Sequence, residues 1–185
     1  MRIAIIGWGS LIWDPRDLPR EGIWQAGGPK LPIEFSRVSK DCRLTLVIDE
    51  KGVEVPTQFV LSPRTSLDDA LNDLASREGT HRAKIGFVDL LNNESSHRKY
   101  PEQVDVSVQL TKWCKKKRFD AALWTALVPN FKEQTGRDFD VDNAVAYLKG
   151  LPKGARKNAL KYIDCAPEEV ETRLRTKLRV PGIMQ

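Results

Sequence analysis

No apolar run in this 185-residue chain approaches the roughly 20 residues that a membrane-spanning helix needs. Histidine and cysteine are scarce: His81 and His97 are the only two of the first, and Cys42, Cys114 and Cys165 the only three of the second. The cysteines are far apart and form no Cys-x-x-Cys pair, which argues against a zinc site and against a disulfide scaffold. Reduced thiols in a cytoplasm are the expectation, with no metal. The apolar run near the start is about four residues long, too short for the core of a signal peptide. A Gly-x-Ser-x-Gly elbow is missing too, so the serines, histidines and aspartates do not read as a hydrolase triad.

What is present fits an ordinary globular chain. Hydrophobic residues make up 41% and charged residues 30%, enough apolar material for a core at this length. A single domain over residues 1–185 is expected, with no repeat and no linker long enough to part it. The net charge of +5 is concentrated: residues 1–145 balance 21 Lys/Arg against 21 Asp/Glu, while residues 146–185 carry 9 against 4. Such a tail can attract an anionic partner, but without base-reading motifs a solvated basic face is the simpler expectation, and nucleic acid is not expected.

Periodicity places the elements. Residues 3–8 are a short apolar run ending at glycines, which predicts a buried strand. Pro15, Pro19, Gly22, Gly27, Gly28, Pro29 and Pro32 then predict a long irregular stretch. Residues 33–39 and 43–49 read as a hairpin turning at Asp41-Cys42, and residues 53–61 as a further strand in which Pro56 marks an edge or a bulge. A helix follows, capped by Thr65 or Ser66, with Asp68 and Asp69 in its first turn. Leu67, Ala70, Leu71 and Leu74 form its apolar stripe, and Gly79 stops it. Residues 84–91 predict a strand, residues 101–117 a helix with Val104, Val108 and Trp113 on one side, and residues 119–128 a buried strand. Beyond Pro129 the chain reads as helical, most clearly at 141–148 and 167–177. In the second of these, Glu168 and Glu169 at the start and Arg173, Arg175 and Lys177 at the end suit the helix dipole. The run Lys115-Lys116-Lys117-Arg118 closes a predicted helix, where cations are favoured for the same reason.

Two places carry chemistry. Gly7 and Gly9 bracket Trp8 at the end of the first strand, so the backbone can turn and present successive N–H groups to a carboxylate or a developing oxyanion. Ser10 adds a hydroxyl. This is not a dinucleotide-binding turn, because Ile12 stands where the third glycine belongs and Pro15 and Pro19 interrupt the helix that should follow. A strand ending in a turn with buried tryptophans is the plainer alternative. Glu78 stands in the last turn of a helix, where the negative helix end favours the protonated form and so suits a general base working on an ammonium proton. Arg77 beside it offsets that effect, and an exposed surface glutamate is the plainer alternative there.

The string Gly7-Trp8-Gly9-Ser10-Leu11-Ile12-Trp13-Asp14-Pro15 resembles the γ-glutamylcyclotransferase-like family, whose hallmark is a tyrosine-glycine-serine loop after the first strand, often continuing Leu-Ile-Trp in the glutathione-degrading branch. The strand at 57–61 and the helix closing Ala75-Ser76-Arg77-Glu78-Gly79 resemble its second signature. Phe35-Ser36-Arg37-Val38-Ser39 and the strand at 123–127 give weaker support. The resemblance covers roughly residues 1–130. It implies an α+β fold built as a small mixed β-barrel flanked by helices, here with a basic helical extension over 131–185. It also implies an intramolecular cyclisation of a γ-glutamyl amine or peptide that releases 5-oxoproline. On that reading Trp8, Gly9, Ser10 and Leu11 cradle the γ-glutamyl group, Glu78 is the base, and no cofactor is required. Trp8 replaces the family's tyrosine, and an indole donates a hydrogen bond but accepts none. The alternative is a non-catalytic ligand-binding or interaction module on the same fold, its basic tail docking an anionic partner.

Overall fold

The computed structural model describes residues 1–184. In chain order the elements are β1 (Ile3–Gly7), α1 (Ser10–Trp13), β2 (Glu21–Val38), β3 (Leu44–Ile48), β4 (Val53–Leu61), α2 (Leu67–Glu78), β5 (Ile85–Asp89), β6 (Glu94–Ser95), α3 (Ser107–Lys117), β7 (Ala121–Thr125), α4 (Phe131–Thr135), α5 (Val141–Gly150), α6 (Lys153–Asp164) and α7 (Arg173–Leu178). The strands form one sheet in the order β3-β2-β4-β1-β7-β5-β6, mixed in direction and mostly antiparallel, with β3 and β6 as its end strands among the described residues. Among the same residues no helix is long and apolar enough to cross a membrane. The chain divides into two compact units, one of Met1–Leu31 with Pro56–Leu127, the other of Pro32–Val55 with the residues from Val128 onward.

The first unit is organised by β1. All five of its residues are buried, as a continuous apolar run requires when both sheet faces are covered. It pairs antiparallel with β4 (Ala4↔Leu61, Gly7↔Gln58) and parallel with β7 (Ile3↔Ala121, Ile5↔Leu123). Leu67, Ala70, Leu71, Leu74 and Ala75 of α2 pack into one cluster with Ile3, Ile5, Val60, Ile85 and Leu123, each buried leucine contributing about 1.5–3 kcal/mol. The stripe expected from the sequence is the one that is buried. Ser66 precedes α2 in extended backbone without a side-chain cap bond, and Gly79 ends it at φ 59°. Phe59, Trp113 and Phe119 form a second cluster with ring centroids 5.1–5.6 Å apart, and Lys117 lies over Phe59. The basic run thus closes α3, with Arg118 in the left-handed region after it.

Within the second unit, β2 and β3 pair antiparallel (Ile33↔Ile48, Val38↔Leu44) with a bulge between Glu34 and Arg37, and the turn between them holds Cys42 at φ 59°. Phe131 packs edge-on against Phe139 and Tyr147. Glu34 is fully buried; its carboxylate accepts the backbone N–H of Phe35 at 2.9 Å and of Arg173 at 3.1 Å, with the Arg173 guanidinium 3.6 Å away.

Three expectations are corrected. The stretch predicted as irregular contains most of an 18-residue strand, β2, which starts at Glu21. Its first half is mostly exposed and shows no apolar alternation; Gly22 and Gly27 take positive φ (75° and 91°), and Gly28 serves close approach instead of breaking the strand. A Cβ on Gly28 would lie 2.4 Å from Thr57 Oγ1, whose hydroxyl donates to the Pro29 carbonyl at 2.7 Å. The helix α3 starts at Ser107 and not at 101, because Gln103 is taken up elsewhere: it accepts from Ser96 Oγ at 2.8 Å and donates to the Ala83 carbonyl at 2.9 Å. Val108 is 58% exposed, so the buried face is Leu110, Trp113 and Cys114. Finally, α7 starts at Arg173, after a Thr172 cap whose hydroxyl accepts the Arg175 N–H at 3.3 Å. Arg175 does not merely complement a dipole: its buried guanidinium donates to the carbonyls of Ala166, Pro167 and Val170.

Candidate functional site

The loop after β1 is held by packing on both sides. Trp24 lies over Gly7 so closely that a Cβ there would sit 2.8 Å from the indole ring. Gly9 then caps the single turn α1, in which Ile12 N–H donates to the Gly9 carbonyl at 2.9 Å and Asp14 N–H to the Ser10 carbonyl at 2.8 Å. The leading N–H groups of such a turn, on Ser10 and Leu11, have no acceptor within the helix. Trp8 is 4% exposed, Leu11 packs into the core of α2 and β1, and Ser10 is half-buried.

Glu78 closes α2, and its side chain is only 14% exposed. One oxygen, Oε1, accepts from Arg77 Nη1 at 2.5 Å. Arg77 is 4% exposed at its side chain, and its other terminal nitrogen donates to the Asp14 carbonyl at the end of α1. Arg16 returns the contact, donating to the Arg77 carbonyl at 3.3 Å while pairing with Asp14 at 3.4 Å. The guanidinium therefore bridges the last turn of α2 to the turn that follows the Trp8–Leu11 segment. Oε2 of Glu78 makes no hydrogen bond among the described residues, which leaves an acceptor on a carboxylate that Arg77 holds in one orientation. A cavity of about 190 Å³ lined by Arg16, Asp73, Ser76 and Arg77 lies against this bridge.

The structure thus joins Glu78 to the first loop through Arg77 and Asp14, not by a direct bond. Trp8 and Leu11 serve the interior, while Gly9 and the half-buried Ser10 stand at the α1 turn. Sequence reasoning treated Arg77 as a neighbour that tempers Glu78 and missed its second arm. The signal available was the pairing of Arg77-Glu78 with Asp14-Pro15-Arg16, which is suggestive only once the two segments are known to meet. The histidines act locally: His81 Nδ1 accepts from the Ala83 N–H at 3.2 Å, and His97 Nδ1 lies 2.9 Å from the Gln103 carbonyl. Among the described residues no group of three or more His, Cys, Asp or Glu could hold a metal ion. Comparison with models of known families, with curated proteins and with solved structures yields no match in any of the three.

Proposed function

We propose that the chain is a γ-glutamylcyclotransferase-like enzyme that cyclises a γ-glutamyl amine or peptide. The supporting observation is the Glu78 carboxylate, fixed at Oε1 by a buried guanidinium that also grips the end of α1, with Oε2 unengaged. In this mechanism Oε2 takes a proton from the substrate's α-ammonium. The freed nitrogen attacks the γ-carbonyl carbon, and the tetrahedral oxyanion is stabilised by backbone N–H groups of the Trp8, Gly9, Ser10 and Leu11 segment. The attacking nitrogen then sheds its second proton, the bond to the leaving nitrogen breaks, and that nitrogen takes up both protons through Glu78, so that 5-oxoproline and an ammonium product depart. Because both reacting groups belong to one molecule, holding one conformer supplies most of the acceleration, and no cofactor enters. The small mixed β-barrel, the single-domain organisation and a cytoplasmic location belong to the same proposal.

The test is release of 5-oxoproline across γ-glutamyl amines, γ-glutamyl dipeptides and glutathione. Glu78→Gln is expected to lower kcat by about 10²–10⁴-fold, the usual worth of a general base; a detected activity that survives this change unaltered rules the mechanism out.

The burial of Trp8 favours a second reading, a non-catalytic module whose loop is filled by its own indole. In that case the exposed Lys153, Lys157 and Lys161, which follow one another at four-residue intervals along α6, would dock an anionic partner. Retention on immobilised heparin that falls with salt and with Lys→Glu changes at these positions, without 5-oxoproline release, would select it.

A further inference from the structure

The larger cavity of the first unit, about 620 Å³, opens at the opposite end of α2 from Glu78. Eleven helical steps separate Leu67 from Glu78, about 16 Å along the axis, so this space is distinct from the site proposed above. Its volume lies in the range of small-molecule pockets. Its floor is apolar, with Leu71 and Ile85 fully buried and Phe87 nearly so. Its rim carries two ion pairs: Asp68 with Arg82, between α2 and the turn before β5, and Glu94 with Lys99 at 3.2 Å, between β6 and the turn after it. Lys99 also leans over Phe87, 5.7 Å from the ring centroid, which brings its ammonium above the apolar floor.

All four rim side chains are exposed, and exposed pairs of this kind are held weakly. They can exchange partners with a ligand at little cost. Asp89 is different: it is buried, and its carboxylate is spent on the N–H groups of Leu91 and Asn92 and on the Asn92 side-chain amide. It builds the wall and is not a ligand group. The four exchangeable side chains balance, two cations against two anions, and the Met1 ammonium, which donates to the Thr65 carbonyl at 3.5 Å, adds a fifth, cationic group to the lining. A simple anion or cation would therefore gain from one member of each pair and be repelled by the other. A ligand carrying both charges finds a group of opposite sign in each pair for either of them.

We propose that this cavity binds a small zwitterion with an apolar side chain, a free amino acid or short peptide. Its carboxylate pairs with Arg82 and Lys99, its ammonium with Asp68 and Glu94, and its side chain packs on Phe87, above the buried Leu71 and Ile85. Titration calorimetry on the full chain tests this, with L-leucine and L-leucyl-L-leucine as probes and N-acetyl-leucine and leucinamide as controls lacking one charge. Saturable binding of a zwitterion is expected, at least tenfold weaker for both controls and at least tenfold weaker in Arg82→Gln and Glu94→Gln. Both substitutions are at exposed positions, and an unchanged thermal melt verifies folding. Glu78→Gln is expected to leave this binding unchanged whether or not it abolishes catalysis. Absence of saturation at millimolar probe, equal binding of a control, or binding that is lost in Glu78→Gln but kept in Arg82→Gln would each overturn the assignment.

Discussion

At the scale of the residue, the central group is Arg77. Its two terminal nitrogens serve two elements, and only a planar fork can do both at once. Arg77→Met keeps the apolar stem but leaves the Glu78 carboxylate and the Asp14 carbonyl without their donor. The expected loss is about 1–3 kcal/mol in urea denaturation, with an unchanged slope. Arg77→Lys should recover only part of it, since one ammonium cannot present two parallel arms. Glu78 could be picked out from the sequence because a carboxylate at a helix C-terminus is a local anomaly. The second arm of Arg77 could not, because its partner lies 63 positions away and nothing local encodes that meeting.

Among elements, β2 is the instructive case. Its first eight residues include three glycines and are mostly exposed, so neither alternation nor apolar content distinguishes them from a loop. Backbone pairing and close approach sustain the strand there, and side-chain pattern does not. Gly28→Ala tests this: the added Cβ would meet the Thr57 hydroxyl at 2.4 Å and its carbonyl oxygen at 2.7 Å, and a paired strand cannot yield. A destabilisation of about 1–3 kcal/mol is expected, seen as a fall of several degrees in Tm. By contrast β1 and β3 were readable as short continuous apolar runs, and β4 and α2 because burial imposes a period on them; for α2 the Leu67, Ala70, Leu71 and Leu74 stripe met the core as expected. The start of α3 escaped because Gln103 is fixed by Ser96 and Ala83, partners whose proximity only the folded chain supplies.

For the whole molecule, alkaline pH offers a separate view of each compact unit. Burial pushes the Cys114 thiol of the first unit from an ordinary 9.0 up to about 12. Burial, together with the Cys42 thiol and a hydrogen bond to Cys42, pushes the Tyr147 phenol of the second from 10.0 up to about 12. Between the ordinary and the raised values the folded chain retains protons that the unfolded chain releases, so stability is full below about pH 9 and falls as pH rises towards 12. Denaturation measured from pH 8 to 11 should show this decline, and Cys114→Ala should flatten its lower part while Tyr147→Phe flattens the upper. The units also share an unusual bookkeeping of chain: the backbone passes from one to the other at 31/32, at 55/56 and again at 127/128. Neither can be cut out as one uninterrupted fragment. A stop codon near residue 130 would strip the β2–β3 hairpin of the helices that complete its unit, so the basic C-terminal third shares one compact body with residues 32–55.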